Sequence, residues 1–181
     1  MYQFTEDNLI MALQDPKTQR KAFEEMVKRY SPQLYSQIRR MVLSHDDTDD
    51  ILQNTFLKAW SNLSSFRGDS KVSTWLYRIA FNETLAFLGK QKNDIPIDDP
   101  EATVVNYLMS DEYFDGDETE AKLQAAVQSL PPKQRQVFNL KYFDEMKYED
   151  ISEILGTTIG GLKASYHLAV EKIQKFLSDD Y

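Results

Sequence analysis

The chain has 181 residues, of which 41% are hydrophobic, and it contains two histidines and no cysteine. This composition is typical of a globular protein without a membrane-spanning helix, and it excludes disulfides and thiolate metal sites, so we expect no metal and no cofactor. The net charge of −8 argues against a protein that binds nucleic acid by itself, since such proteins present an excess of lysine and arginine.

The excess of acid is confined to one segment. Residues 93–118 contain nine acidic side chains, no basic one, and two prolines, and they show no sustained helical period. Repulsion between like charges extends such a segment, so the pattern predicts an acidic linker. We therefore expect a first domain at residues 1–92, the linker at 93–118 and a second domain at 119–181.

The first domain is predicted to contain four helices. Phe23, Met26, Val27 and Tyr30 share one helical stripe. Pro32 then suits the first turn of a second helix. Acids of the run HDDTDD cap a third, from about Thr48 to Leu63, and a fourth runs from about Ser73 to Leu88. Short connections predict a compact bundle.

The second domain is also predicted to be helical. Helices at about 119–129 and 133–143 are followed by a short one, Tyr148 to Leu155, which Gly156 can end in the left-handed conformation. Thr158 then caps a last helix that runs to about Leu177. A short helix, a glycine-containing turn and a second helix are typical of a helix-turn-helix.

The fourth helix presents a mixed polar and aromatic face. Trp75, Arg78 and Asn82 stand at i, i+3 and i+7 and share one side, whereas Leu76 and Ala80 lie on another. A ring can stack on bases, a cation can neutralise phosphate and an amide can read a base edge. The alternative, that Trp75 is a core residue, stays open.

The sequence resembles the extracytoplasmic-function sigma factors, the smallest members of the sigma-70 family. AFEEMVKRYSPQLY, DDILQNTFLKAW and FRGDSKVSTWLYRIAFN resemble segments of sigma region 2 in the family's order. LPPKQRQVFNLKYFDEMKYEDISEILGTTIGGLKASYHLAVEKI resembles sigma region 4. The resemblance implies an all-α fold of two small helical domains, a four-helix region 2 and a helix-turn-helix region 4, joined by the acidic linker.

The resemblance also implies partners. It predicts an alternative sigma factor of the cytoplasm that has no catalytic activity, binds core RNA polymerase and promoter DNA, and does not insert in a membrane. An anti-sigma factor is kept open as a further partner. The linker is expected near the polymerase active-site cleft, and the alternative that it is only a solvated spacer stays open.

By resemblance, the third helix docks on the polymerase clamp. Acids and amides with an exposed leucine suit a basic partner, beside core candidates such as Leu52, Phe56 and Trp60. The alternative is that the acids only cap the helix and the amides are simply exposed to solvent. The expected polymerase-binding residues are Asp49, Asp50, Leu52, Gln53, Asn54, Phe56, Leu57 and Trp60.

The family also implies two DNA-binding sites. The fourth helix and the loop before it are expected to recognise the minus-10 element, where the loop would hold a base flipped from the non-template strand. These residues are Phe66, Arg67, Gly68, Asp69, Ser70, Trp75, Arg78 and Asn82. For the minus-35 element the last helix offers Thr158, Lys163, Ser165, Tyr166, His167 and Lys172.

Two other classes of protein remain open. A helix-turn-helix regulator that binds DNA without polymerase would be expected to have a basic recognition domain and a dimerisation helix. A helical adaptor that no longer touches DNA is kept open because Ser165 and Leu168 stand where family members often carry arginine. An enzyme ranks last, since no nucleophile and base pair or phosphate loop is evident.

Overall fold

The computed structural model describes residues 4–91 and 99–178, in which every regular element is helical. The chain divides into two compact units, Met1–Phe87 and Leu88–Tyr181. This confirms the all-α fold. The helices are α1 (Glu6–Gln14), α2 (Gln19–Val42), α3 (His45–Ser61), α4 (Val72–Gln91), α5 (Pro100–Ser110), α6 (Glu118–Gln128), α7 (Pro132–Tyr142), α8 (Tyr148–Leu155) and α9 (Ile159–Ser178), with a 3-10 turn at Leu63–Ser65.

Helix α2 runs unbroken through Pro32, so the predicted division into two helices is wrong. A proline inside a helix removes one backbone hydrogen bond and costs about 3 kcal/mol. Here a single buried stripe continues on both sides of it, which offsets that cost because each large apolar side chain contributes about 1.5–3 kcal/mol on burial. The stripe consists of Ala22, Met26, Tyr30, Leu34, Ile38 and Met41.

Helix α1 was not predicted from the sequence. Its first turn is capped by Thr5, whose hydroxyl oxygen accepts the Asn8 backbone N–H at 3.3 Å. The helix packs on α2 and buries Leu9 and Leu13 completely. With only nine residues, it depends on this tertiary packing, since so short a helix is marginal alone.

Helix α3 begins earlier than predicted. Ser44 is its N-cap and accepts the Asp47 backbone N–H at 3.2 Å, so the run HDDTDD forms the first turns of the helix instead of preceding it. Asp46 and Asp47 in the first turn complement the positive end of the helix dipole.

The second unit is built around a small apolar core. Its centre is formed by residues of α6, α7 and α9 together with Leu130, namely Ala126, Val127, Leu130, Phe138, Ala169 and Ile173. Pro131 precedes α7 and Pro132 is its first residue, and neither proline has an N–H to donate. The buried guanidinium of Arg135 donates to the carbonyls of Gln128 at 2.7 Å and Leu130 at 3.2 Å. Burial lowers the pKa of Arg135 to about 10, which leaves it charged at neutral pH.

The predicted helix-turn-helix is present as α8 and α9. Gly156 ends α8 at φ +64°, in the left-handed region, and donates its N–H to the Ser152 carbonyl at 2.9 Å. Thr158 caps α9 by accepting the Gly161 backbone N–H at 3.2 Å.

The expectation of an extended segment at 93–118 is wrong for α5, which occupies Pro100–Ser110 and packs on α6. Only one of the acids, Glu101, lies within this helix, where it favours the first turn, and Asp99 is the N-cap. The self-repelling charges therefore flank the helix instead of interrupting it. Residues 93–98 of the predicted linker lie outside the described part of the chain.

Within residues 4–91 and 99–178, no helix combines the length and the apolar character needed to cross a membrane.

Two glycines of the helix-turn-helix should respond oppositely to alanine. A Cβ on Gly160 would meet nothing within 4 Å, so Gly160→Ala should raise the free energy of unfolding of the second unit by about 0.5–1 kcal/mol. Gly156→Ala should lower it by about 1 kcal/mol, because the left-handed region disfavours a side chain. Urea unfolding followed by circular dichroism measures both, and equal signs for the two variants would contradict this account.

Candidate functional site

An open apolar groove of about 660 Å³ lies between α2 and α3. Its apolar lining comes from Phe23 and Val27 of α2 and from four residues of α3, Leu52, Phe56, Leu57 and Trp60. The Trp60 ring meets Phe23 edge-on at a centroid distance of 4.9 Å, and Phe56 meets Phe23 likewise at 6.5 Å. These edge-to-face contacts hold the rings in fixed orientations.

The prediction that Leu52, Phe56 and Trp60 belong to the core is wrong. Trp60 is 46% exposed and the neighbouring Leu57 is 59% exposed, whereas Leu52 and Phe56 are half-buried. The buried face of α3 is made instead by Thr48, Ile51, Thr55 and Ala59. Helix α3 therefore carries a buried face of small and aliphatic side chains and a separate apolar stripe that lines the groove.

Sequence reasoning missed Phe23 and Val27 as groove residues, because both lie beside the buried Met26 and Tyr30. The signal that could have identified them is the width of the apolar face around each helix. The apolar residues of α2 and α3 cover more of each helix than one buried face requires.

Polar side chains stand beside the groove on α3. Asp49, Asp50, Gln53 and Asn54 are all exposed, as predicted from the sequence. Asp49 also approaches the His45 ring, with 3.4 Å between Oδ2 and Nε2, and the Tyr35 hydroxyl lies 2.6 Å from the other ring nitrogen. The result is an exposed apolar surface with anionic and amide groups next to it.

A second candidate surface is formed by the loop at residues 66–71 and the start of α4. Phe66 is only 6% exposed and stacks beneath the half-buried Trp75 ring, at a centroid distance of 4.5 Å and an interplanar angle of 24°. The structure therefore places Phe66 as a support for Trp75, and only the Trp75 ring is accessible enough to meet a ligand.

The remaining predicted residues of this second surface fall into two groups. Arg67 and Asp69 are exposed at the loop, and Arg78 and Asn82 are exposed along α4. Gly68 and Ser70 are half-buried, and Gly68 adopts φ +77°. The Lys58–Glu83 ion pair joins α3 to α4.

A third candidate surface is α9. Lys163, His167 and Lys172 are exposed, with His167 Nε2 lying 3.3 Å from Glu171 and Lys172 Nζ donating to the Gln134 amide oxygen at 3.1 Å. Ser165 is half-buried.

Tyr166 differs from the other predicted residues of α9, because it packs towards the core with its ring stacked on Phe138 at 5.8 Å. Burial, and then the nearby hydroxyls of Tyr148 and Tyr142, raise its pKa. Thr158 acts as the helix cap.

Among the described residues, no three histidine, aspartate or glutamate side chains are grouped as a metal site requires.

The comparisons with known proteins cover most of the chain. The family model for sigma-70 region 2 matches residues 26–93, and that for sigma-70 region 4 matches residues 120–173. The chain is 34% identical over 168 residues to the ECF RNA polymerase sigma factor SigW of Bacillus subtilis, covering 87% of this chain and 90% of that protein. It is 32% identical over 181 residues to the ECF RNA polymerase sigma-E factor of Escherichia coli, covering 94% and 93%.

Two solved structures share the fold. CnrH in complex with the cytosolic domain of CnrY matches with a TM-score of 0.71 at 21% identity, covering 96% of this chain and 98% of that one. The sigma factor RpoE in complex with the anti-sigma factor NepR, from Bartonella quintana, matches with a TM-score of 0.67 at 24% identity, covering 89% and 99%.

Proposed function

The chain belongs to the sigma-70 family as an extracytoplasmic-function sigma factor that directs transcription initiation with RNA polymerase, and we propose that its three exposed surfaces divide that work. The observation that supports this division best is the groove between α2 and α3. A folded unit rarely leaves an apolar surface open without a partner for it. We propose that this partner is core RNA polymerase.

The chemistry of the groove suits a helical, basic partner. Trp60 and Leu57 offer a central aromatic and aliphatic anchor of the kind that dominates binding energy at interfaces. Asp49, Asp50 and the two amides beside it would accept hydrogen bonds from arginines at the rim. The core of the contact would then be apolar and its edge polar.

The loop at 66–71 and the exposed face of α4 would bind the minus-10 strand. Trp75, held from below by Phe66, presents a ring on which a base can stack, and Arg67 and Arg78 lie where they could neutralise phosphates. Asn82 would read a base edge. Flipping a base costs a few kcal/mol, and the strand-binding surface would supply this from binding energy, without a catalytic activity of the factor.

The helix-turn-helix would recognise the minus-35 element through the exposed residues of α9. Lys163 and Lys172 supply charge for phosphate contacts, and His167 offers a polar contact. Tyr166 and Thr158 would act indirectly, since one packs on the core and the other caps the helix. With eight basic and nine acidic residues in 119–181, the second domain would bind DNA weakly without polymerase.

The proposal extends to a further protein partner, to the position of the acids that flank α5, and to the cellular compartment. RpoE, which shares the fold, was solved in complex with an anti-sigma factor, and a protein that covered the groove of this chain would exclude polymerase from it. The acids that flank α5 would lie near the polymerase active-site cleft, among surfaces built for nucleic acid. The factor would act in the cytoplasm, where core polymerase meets DNA.

Reconstituted transcription tests the proposal as a whole. The protein added to core polymerase should give promoter-specific transcripts in a run-off assay, whereas the protein alone should bind duplex DNA poorly because its DNA-binding domains carry little net charge. Specific binding to duplex without core would favour the self-sufficient regulator instead. Failure to associate with core would remove both the sigma and the polymerase-adaptor functions.

Trp60→Ala should weaken binding to core by about 30-fold, corresponding to the roughly 2 kcal/mol typical of an interface anchor. Met11→Ala is the matched control, since Met11 is 70% exposed and lies outside the groove. Fluorescence anisotropy of labelled protein titrated with core gives both affinities. Equal affinities for the two variants would contradict the assignment of the groove.

Asn82→Ala should impair promoter opening by about tenfold, because one base contact is worth about 1–3 kcal/mol, while leaving affinity for core within about twofold. Permanganate reactivity of unpaired thymines measures opening, and Gln91→Ala, at the far end of α4, serves as control. An equal loss of core binding would refute the role given to Asn82.

A further inference from the structure

One side of α1 follows the loop at 66–71 from end to end. Glu6, Ile10 and Gln14 stand four residues apart and so form one stripe of the helix, called here the α1 stripe. Each contacts a successive point of the segment that leads into α4, in antiparallel order: Gln14 near Phe66, Ile10 near Gly68 and Glu6 near Val72.

The shorter of the two hydrogen bonds in this set is made by Glu6. Its Oε1 accepts the backbone N–H of Val72 at 3.0 Å, and Val72 is the first residue of α4 and fully buried. The first N–H groups of a helix have no partner within it, and a carboxylate both satisfies one and complements the helix dipole. Glu6 therefore caps a helix that begins 66 residues further along the chain.

Glu6 is itself held by α2. Its Oε2 accepts the Tyr30 hydroxyl and lies 4.0 Å from Arg29 Nη1. Burial, and then the hydrogen bond to Glu6, raise the pKa of Tyr30, so the phenol stays protonated as the donor. The carboxylate thus joins α1, α2 and the start of α4.

The other two contacts hold the loop. Gln14 Nε2 donates to the Phe66 carbonyl at 3.3 Å, next to the ring that supports Trp75. At Gly68 the backbone adopts φ +77°, and a Cβ there would lie 2.8 Å from Ile10 Cγ2. The loop thus fits against α1 only with glycine at this position.

We propose that the α1 stripe is a template for the minus-10 loop, with Glu6 as the positioning residue that holds the start of α4 in register for the unpaired strand. This inference rests on the proposed function of the loop. A loop fixed before binding loses less conformational freedom when the strand arrives, so its affinity is higher than that of the same residues on a mobile loop.

Substitutions that remove the charge of Glu6 distinguish a positioning role from a direct electrostatic effect on the DNA strand. A carboxylate near the strand repels phosphate, so if Glu6 acted only through its charge, its removal would strengthen binding. The template role requires the opposite, because the hydrogen bond to Val72 would be lost. Glu6→Gln keeps an acceptor oxygen without the charge and should retain most of the function.

The experiment uses holoenzyme assembled from core polymerase and the full chain. Its probe is a fluorescent single-stranded oligonucleotide carrying the non-template minus-10 sequence. Glu6→Ala should lower affinity for this strand by about tenfold, through the ordering cost of a freed loop, with affinity for core within about twofold. Glu6→Gln should stay within about threefold of the unchanged protein, since a neutral acceptor keeps most of a capping bond.

Two further variants complete the test. Asp7→Ala, at the exposed neighbour on the same turn, is the matched control and should leave strand affinity unchanged. Gln14→Ala removes the second anchor at an exposed position, and it should also lower strand affinity even if Glu6→Ala destabilises the fold.

The outcomes are distinct. Unchanged or increased strand affinity in both Glu6→Ala and Gln14→Ala would overturn the template role. A loss of affinity for core as large as the loss of affinity for the strand would overturn it as well. If holoenzyme with the unchanged chain fails to bind the strand, the proposed function of the loop fails instead.

Discussion

Continuous burial of one stripe of α2 is the constraint on which the first unit depends. The stripe passes Pro32 without a break, so a single 24-residue helix presents both of its flanks to other elements. Helix α1 packs along its first half, and α3 lies along it to form the groove. If the helix had ended at Pro32, its two halves would be separate elements. The first half would then carry the groove residues Phe23 and Val27 and also Tyr30, which donates to Glu6, without a rigid connection to the rest of the stripe.

Local patterns allowed the last four helices, α6 to α9, to be predicted closely, because the signals that define them are local. Gly156 follows a short amphipathic helix, and Thr158 precedes the next one, so caps and spacing define α8 and α9 almost to the residue. In α2, by contrast, the proline signal was outweighed by burial that only the folded unit provides. Helix α5 was not predicted because the nine acids were counted over the whole of 93–118. That count concealed the largely apolar stretch Pro100–Ser110, in which Glu101 is the single acidic residue.

The candidate sites were predictable as residue types but not as surfaces. The acids and amides of α3 and the exposed part of α4 lie where spacing placed them. Which face of α3 turns inward depends on its packing against α2, and no local pattern gives that. The contacts of Glu6 with Val72 and of Gln14 with Phe66 join positions more than 50 residues apart, so sequence periodicity carries no trace of them.

The two prolines after α6 have a consequence for how the second unit forms during synthesis. The N–H groups of Ser129 and Leu130 serve the preceding carbonyls of α6, but the Gln128 carbonyl accepts from a side chain seven residues further on. As the chain leaves the ribosome, this contact can form only after Arg135 has also emerged and α7 has begun to wind. Closure of this core is therefore tied to the arrival of the next helix, which makes α6 and α7 one unit of assembly.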